Sequence, residues 1–207
     1  MTIRHIAFDL DGTLIDTRDQ ITESILACLP QTDRTSETRK RIRAQTEGSP
    51  QAILKGFGIR GLDRYWQNHA RLSAHSSLFF EDTPAVFEEL GRRGISISVI
   101  TSLPARPANM LIETSGLGQL FSLTDTFASR PYRKPSPQLI TAHLHDCDVE
   151  CGEAAYVADT IGDVRMATGA GVHAWAVGWS AVPSKDLIGA GAERILKTVR
   201  EILAIAP

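Results

Sequence analysis

The sequence predicts an α/β fold: a doubly wound, Rossmann-like parallel sheet with a small all-helical unit inserted after its first strand. Two observations predict it. Short apolar runs without alternation recur at residues 3–8, 95–100, 154–158 and 172–177, as strands buried on both faces must read. Segments of helical spacing separate the later runs, and between residues 17 and 79 that spacing continues with no strand-like run. The expected division is a core domain formed by 1–16 and 80–207 and a helical domain formed by 17–79.

Residues 3–8 read as a central strand ending in two carboxylates, Asp9 and Asp11. Strand side chains repeat every two residues, so both acids start on one side as the chain runs into a loop at Gly12. Like charges this close are costly unless a cation sits between them or one carboxyl takes up a proton. A hard divalent ion such as Mg2+ suits one or two carboxylates and a substrate phosphate, and ligands of open α/β sheets bind at this end of the strands. A lone Asp-Gly is ordinarily a surface turn; two acids leaving one apolar strand together favour a site.

In the helical unit, Ile21, Ile25, Leu26 and Leu29 form an amphipathic helix that Pro30 stops, and a second starts over 39–44. Gly48-Ser49-Pro50 breaks the pattern, 51–57 resumes it, and 63–73 adds a further helix. The basic cluster Arg39, Lys40, Arg41 and Arg43 reads as a solvated face. The loop 46–50 is the better candidate for touching a substrate, through Gly48 and Ser49, because Gly-Ser-Pro permits close backbone approach.

The α/β rhythm returns near Phe80, with Pro84 at a helix start, apolar Val86, Phe87 and Leu90, and a Gly94 stop. The strand over 95–100 ends in Thr101-Ser102 before a helix over 108–115. Hydroxyls and free N–H groups there are suitable donors to phosphate oxygens. A short strand is expected over 125–128, followed by a loop that carries Lys134 on a proline-stiffened segment before a helix over 138–144. A compact ammonium at that point neutralises a carboxylate and a bound phosphoryl group together. Arg130 and Arg133 could add phosphate contacts but read as solvated, as exposed loop arginines usually are, and His143 and His145 read as structural. The strand over 154–158 leads to Asp159 and Asp163, two acids across a strand-to-helix turn that can reach one cation. A helix over 164–170, a strand over 172–177 and a final helix over 195–205 complete the chain. Trp66, Trp175 and Trp179 read as core before pocket walls.

At 207 residues, 43% hydrophobic, 22% charged and with a net charge of -2, the composition is that of an ordinary globular protein with no basic excess for nucleic acid. Cys28, Cys147 and Cys151 lack zinc-ligand spacing, no apolar run is long enough to span a bilayer, and the first strand leaves no room for a signal peptide. The expectation is a cytoplasmic protein with no membrane partner; the oligomeric state stays open. Gly169-Ala-Gly171 and Gly189-Ala-Gly191 do not follow a first strand, so neither supports a dinucleotide site.

Residues 8–17, Phe-Asp-Leu-Asp-Gly-Thr-Leu-Ile-Asp-Thr, resemble the first motif of the haloacid dehalogenase superfamily, in its phosphoglycolate phosphatase-like branch. The resemblance implies Asp9 as nucleophile and Asp11 as general acid and base. It implies Thr101 as the second motif, with the Ser102 N–H as a phosphate donor. Lys134 in Lys-Pro-x-Pro stands at the third motif, and Asp159 and Asp163 at the fourth, as metal ligands together with Asp9 and Asp11. The fourth motif normally reads Gly-Asp-x-x-x-Asp, and Ala158 departs from it. Also implied are Mg2+, a helical cap over the site, and hydrolysis of a small phosphate monoester through an aspartyl-phosphate. A phosphosugar mutase and a non-catalytic binding module are the alternatives. A C-halogen hydrolase has no leaving oxygen to protonate, so Asp11 and Asp159 argue against it.

Overall fold

The computed structural model of the chain describes residues 2–45, 50–73, 80 and 82–206. Gly48 and Ser49 lie outside the described residues. Six strands, β1 (His5–Phe8), β2 (Ser96–Ile100), β3 (Phe121–Asp125), β4 (Ala154–Ala158), β5 (His173–Val177) and β6 (Arg194–Leu196), form one sheet in the order β3-β2-β1-β4-β5-β6. Every pairing is parallel. The chain winds outward in one direction from β1 and then returns to its other side, so the carboxyl ends of β1 and its neighbours border the crevice where such sheets bind ligands.

Alternation along the strands feeds two apolar layers. Ile6, Phe8, Val99 and Val157 pack against the helices α5 (Thr83–Arg92) and α6 (Ala105–Ser115), with the Phe8 and Phe87 rings 4.9 Å apart. Ala7, Ile100, Tyr156 and Ala158 meet α7 (Pro137–Asp146), α8 (Ile161–Gly169) and α9 (Ser184–Gly189). Ala158, in place of the usual glycine, is 1% exposed and pairs with Ala176 in the sheet.

Four helices, α1 (Arg18–Leu26), α2 (Ser36–Arg43), α3 (Pro50–Gly56) and α4 (Asp63–Ser73), surround their own apolar cluster of Ile25, Leu29, Ile42, Leu54 and Tyr65. After α1 the Arg34 guanidinium donates to the carbonyls of Ala27 and Leu29, which that helix end leaves without helical partners. Thr35 caps α2 by accepting from the Thr38 N–H at 3.1 Å. The basic residues of α2 are exposed: Arg39 pairs with Glu23, Arg43 with Asp19, and Arg41 lies 4.4 Å from the Phe57 ring centroid.

Two strand assignments are corrected. The strand expected over 125–128 lies earlier, and Asp125 is its last residue. Phe121-Ser-Leu-Thr-Asp alternates instead of running apolar, which hides an edge strand from a search for buried runs. The helix expected over 195–205 begins as β6 and becomes helical only from a 3-10 turn at Val199–Glu201 that leads into α10 (Ile202–Ile205). Ile195 pairs with Ala176, and three residues are too few to show a period, so the neighbouring strand decides the conformation. Among the described residues no helix is long and apolar enough to cross a membrane.

A buried polar chain joins β1, β2 and β3 to α7. His5 bonds Ser96 Oγ through Nδ1 at 2.7 Å and Ser98 Oγ through Nε2 at 2.7 Å. Ser98 Oγ is also 2.6 Å from His143 Nε2, and His143 Nδ1 donates to Asp125 at 2.8 Å. Burial works against the Asp125 charge, but hydrogen bonds from His143, Arg130 and Ser129 outweigh it and bring the carboxyl down to about 2.

Candidate active site

Beyond β1 the Asp9 N–H donates to the Val157 carbonyl at 2.9 Å, so β4 still holds the chain where the first acid leaves the sheet. The next residues fold back tightly, with the Gly12 N–H on the Ile15 carbonyl at 2.8 Å and buried Leu10, Leu14 and Ile15 anchoring the loop. Gly12 has φ +80, and a Cβ there would collide with the Asp159 carboxylate. Both the backbone conformation and the close approach of the fourth-motif acid require glycine.

Lys134 reaches across from the loop before α7, its Nζ 2.5 Å from Asp9 Oδ1 and 3.0 Å from Asp163 Oδ1. Asp163 is engaged at both oxygens. Thr160, the N-cap of α8, accepts from the Asp163 N–H at 3.1 Å and donates to Oδ2 at 2.7 Å, while the Tyr156 hydroxyl donates to Oδ1 at 3.3 Å. Asp159 accepts from Thr13 Oγ1 at 3.4 Å, and its carbonyl accepts from Ser180 Oγ at 2.7 Å. Thr101, at the end of β2, donates its N–H to the Asp125 carbonyl at 2.9 Å and accepts from the Leu103 N–H at 3.1 Å through Oγ1.

A cavity of about 650 Å³ opens over these groups, within the usual range for small-molecule sites. Asp9, Asp11, Ser102, Lys134, Asp159 and Asp163 line its sheet side, and α1 and α4 close the other. Thr101 is buried behind Ser102 and does not line it. The structure thus brings together the residues of the first, third and fourth motifs. Arg130 is drawn away to Asp125 and Asp146, and Arg133 stacks 5.0 Å from the Phe127 ring centroid. Trp66 lines the cavity, whereas Trp175 is buried in the core. Sequence reasoning does not single out Thr17, Tyr65 or His69, which also border the space; Tyr65 and His69 sit one turn apart on α4, and that spacing alone reads as core.

Four carboxylates surround one ammonium, an excess of three negative charges if all ionise. Burial pushes Asp9 up to about 7 against the pull of Lys134, and pushes Asp11 up to about 6 against a hydrogen bond from Thr17. Burial also opposes the Lys134 charge, but Asp163 and Asp9 hold its pKa well above the usual value. Asp11 Oδ1 is buried with no hydrogen-bond partner. An all-oxygen donor set with surplus charge and an orphaned carboxylate oxygen fits a hard divalent cation. Among the described residues no three of these carboxylates bring oxygens within 4.8 Å of one another, so as placed at most two of the four reach one ion directly.

Comparison with known proteins decides the family, because the model for haloacid dehalogenase-like hydrolases matches residues 6–177. The chain belongs to that family. It is therefore a haloacid dehalogenase-like hydrolase. A Dickeya dadantii protein named "Probable phosphatase IndB" is 28% identical over 97% of this chain and 92% of its own. Pyrophosphatase PpaX of Oceanobacillus iheyensis is 24% identical over 99% and 97%, and a phosphoglycolate phosphatase of Rhodospirillum rubrum is 29% identical over 81% and 76%. Among solved structures, one from Clostridium difficile superposes with a TM-score of 0.86 at 20% identity, covering 100% of both chains. One from Thermotoga maritima named for beta-phosphoglucomutase gives 0.79 at 22% identity over 98% of each. At these identities the structural likeness shows the shared fold.

Proposed function

We propose that the chain is a Mg2+-dependent phosphatase that hydrolyses a small phosphate monoester in the cytoplasm through an aspartyl-phosphate on Asp9. The observation that carries this reading is the pairing of Asp9 with Lys134 at the floor of a cavity, with the partnerless Asp11 carboxylate oxygen beside it. The names of the curated relatives support a phosphatase, and the three unpaired cysteines support a reducing compartment.

In the first step an Asp9 carboxylate oxygen attacks phosphorus, the bond from phosphorus to the ester oxygen breaks, and Asp11 gives its proton to that oxygen. Asp11, now ionised, then takes a proton from the water that attacks the aspartyl-phosphate, releasing phosphate and restoring Asp9 and the Asp11 proton. The pKa of Asp11, raised to about 6 by burial, suits a group that alternates between acid and base near neutral pH. Lys134, fixed by Asp163, holds positive charge beside the nucleophile and the phosphoryl oxygens, and the Ser102 N–H adds a donor at the end of β2, where Thr101 Oγ1 holds the turn through the Leu103 N–H. Asp9, Asp159 and the Asp11 backbone, supported by Asp163, would hold Mg2+, which supplies charge neutralisation for the transferring phosphoryl group. The helical unit over 17–79 acts as a cap that excludes water from the reaction.

Phosphate release from a panel of small esters, with and without Mg2+, tests the proposal against an Asp9→Asn variant. Metal-dependent turnover lost on substitution is expected. Turnover that requires a bisphosphate would favour a mutase, and ligand binding without turnover under any divalent metal would favour a binding module.

A further inference from the structure

The part of the cavity that would receive the leaving group has a different character from its floor. Ile21 of α1, Leu62, Tyr65 and Trp66 from the start of α4 and the turn before it, and Leu103 and Phe127 from the core loops form its walls. The Tyr65, Trp66 and His69 rings pack together, with centroids 4.7 Å, 5.6 Å and 5.8 Å apart in the three pairs. Phe127 is half exposed at the cavity, so an apolar surface also faces an arriving ligand.

Cations are scarce there. Among the described residues only Arg18 and Lys134 carry fixed positive charge on the cavity lining. The Arg18 guanidinium grips both oxygens of Asp16, at 2.8 Å and 2.6 Å, and Lys134 is committed to Asp9 and Asp163. Of the basic residues nearby, Arg39, Arg43 and Arg41 of α2 are turned to Glu23, Asp19 and the Phe57 ring, Arg34 to the carbonyls that follow α1, and Arg133, on the Phe127 ring, donates to the Arg130 and Tyr132 carbonyls. Residues 46–49, 74–79 and 81 contain no lysine or arginine. His69 is neutral at pH 7, because burial lowers its pKa to about 4. Among the described residues each cation of the lining already faces a carboxylate, so a second anion on the substrate would enter this space beside Asp11 without a cation of its own, and a buried charge without a partner is strongly disfavoured.

We propose that the cavity selects phosphate monoesters of uncharged, apolar or aromatic alcohols and discriminates against substrates carrying a second anionic group, such as a carboxylate or a further phosphoryl group. This rests on the phosphatase reading and narrows it. The alcohol lies against the aromatic face of α4, and specificity comes from burial of its apolar surface together with the absence of an ion partner for a second charge.

The test compares kcat/KM, in Mg2+ buffer at pH 7, for phenyl phosphate, 4-carboxyphenyl phosphate, 2-phosphoglycolate, pyrophosphate and methyl phosphate. Phenyl phosphate is expected to exceed each of the three doubly anionic substrates at least tenfold. That holds even though the carboxylate makes its phenol the better leaving group. In Trp66→Ala the loss for phenyl phosphate is expected to be at least fivefold larger than for methyl phosphate and to reside in KM, with Trp66→Phe restoring most of it. A general packing defect would lower both substrates alike. Equal or greater activity on the doubly anionic substrates, or equal losses for both esters in Trp66→Ala, would overturn the inference while leaving the phosphatase standing. No phosphate release from any substrate would instead overturn the phosphatase reading, and this inference with it.

Discussion

Two buried polar clusters lie along the same central strand, one at its start and one just past its end, and they are opposite in state. At the start, His5, Ser98, His143 and Asp125 form a closed chain in which each ring nitrogen is bonded to a hydroxyl or a carboxylate. Past the end, Asp9 and Asp11 are pushed up to about 7 and 6, and one Asp11 oxygen has no hydrogen-bond partner. The first cluster is complete as it stands, whereas the second has more negative charge than the protein's own groups can balance. His5, His143 and Cys147 bring possible ligand atoms within 4.8 Å, closer than the active-site acids manage. Their imidazole nitrogens are already satisfied by neighbours, so convergence of ligand types is a weaker sign of a site than unbalanced charge.

The comparison is broken most severely at the incomplete cluster. Asp9→Asn should lower kcat by about 10³-fold or more, as loss of a covalent nucleophile does, while thermal unfolding shows no loss of stability. A large fall in the melting temperature would mean that Asp9 serves the fold. Substitution in the complete cluster should do the reverse. His143→Ala removes one buried partner each from Asp125, which keeps Arg130 and Ser129, and Ser98, which keeps His5, a loss of about 3 kcal/mol in urea unfolding, while Mg2+ affinity of the folded protein stays within about twofold of the parent.

A subtler contrast appears with pH. Burial, reinforced by the charge of His143, lowers His5 to about 4, so its contribution to stability is present above about 6.5 and is lost as pH falls through 4. Asp9 is raised, so its contribution is present below about 4 and is lost as pH rises through about 7. The two slopes oppose each other in one window, each at most about 1.4 kcal/mol per pH unit. Unfolding midpoints of metal-free protein between pH 4 and 7 should therefore rise more steeply with pH in Asp9→Asn and fall with pH in His5→Gln. Parallel profiles for the two variants would remove the contrast.

The smallest effect expected is on metal affinity. Cation binding requires ionised carboxylates, so calorimetric Mg2+ affinity should be flat above about pH 7. It should weaken by up to about tenfold per pH unit below that, with proton uptake on metal removal. Affinity independent of pH from 5 to 8 would mean that Asp9 does not contact the ion.

Much of this was legible before any coordinates. Strands buried on both faces must be apolar throughout, so β1, β2, β4 and β5 stand out as runs, and acids placed at their ends stand out against them. Asp9, Asp11, Lys134, Asp159 and Asp163 can be named on that basis together with motif resemblance. The edge strands β3 and β6 cannot, because one alternates and the other is three residues long. The pairing of Lys134 with Asp163 is equally hidden, since 28 residues of loop, helix and strand separate the two.

Apolar runs and motif resemblance together thus placed the floor residues Asp9, Asp11 and Asp159 past the ends of adjacent parallel strands from the sequence alone, because strands buried on both faces must be apolar and their ends stand out. What covers that floor was decided by tertiary structure. The apolar spacing of α4 requires that one face be buried but does not say against what. Only the seating of that helix against α1 and α6 turns Trp66 and His69 toward Asp9 and Asp11. Orientation of a helix about its axis depends on ridges and grooves of its neighbours, and no local pattern encodes it.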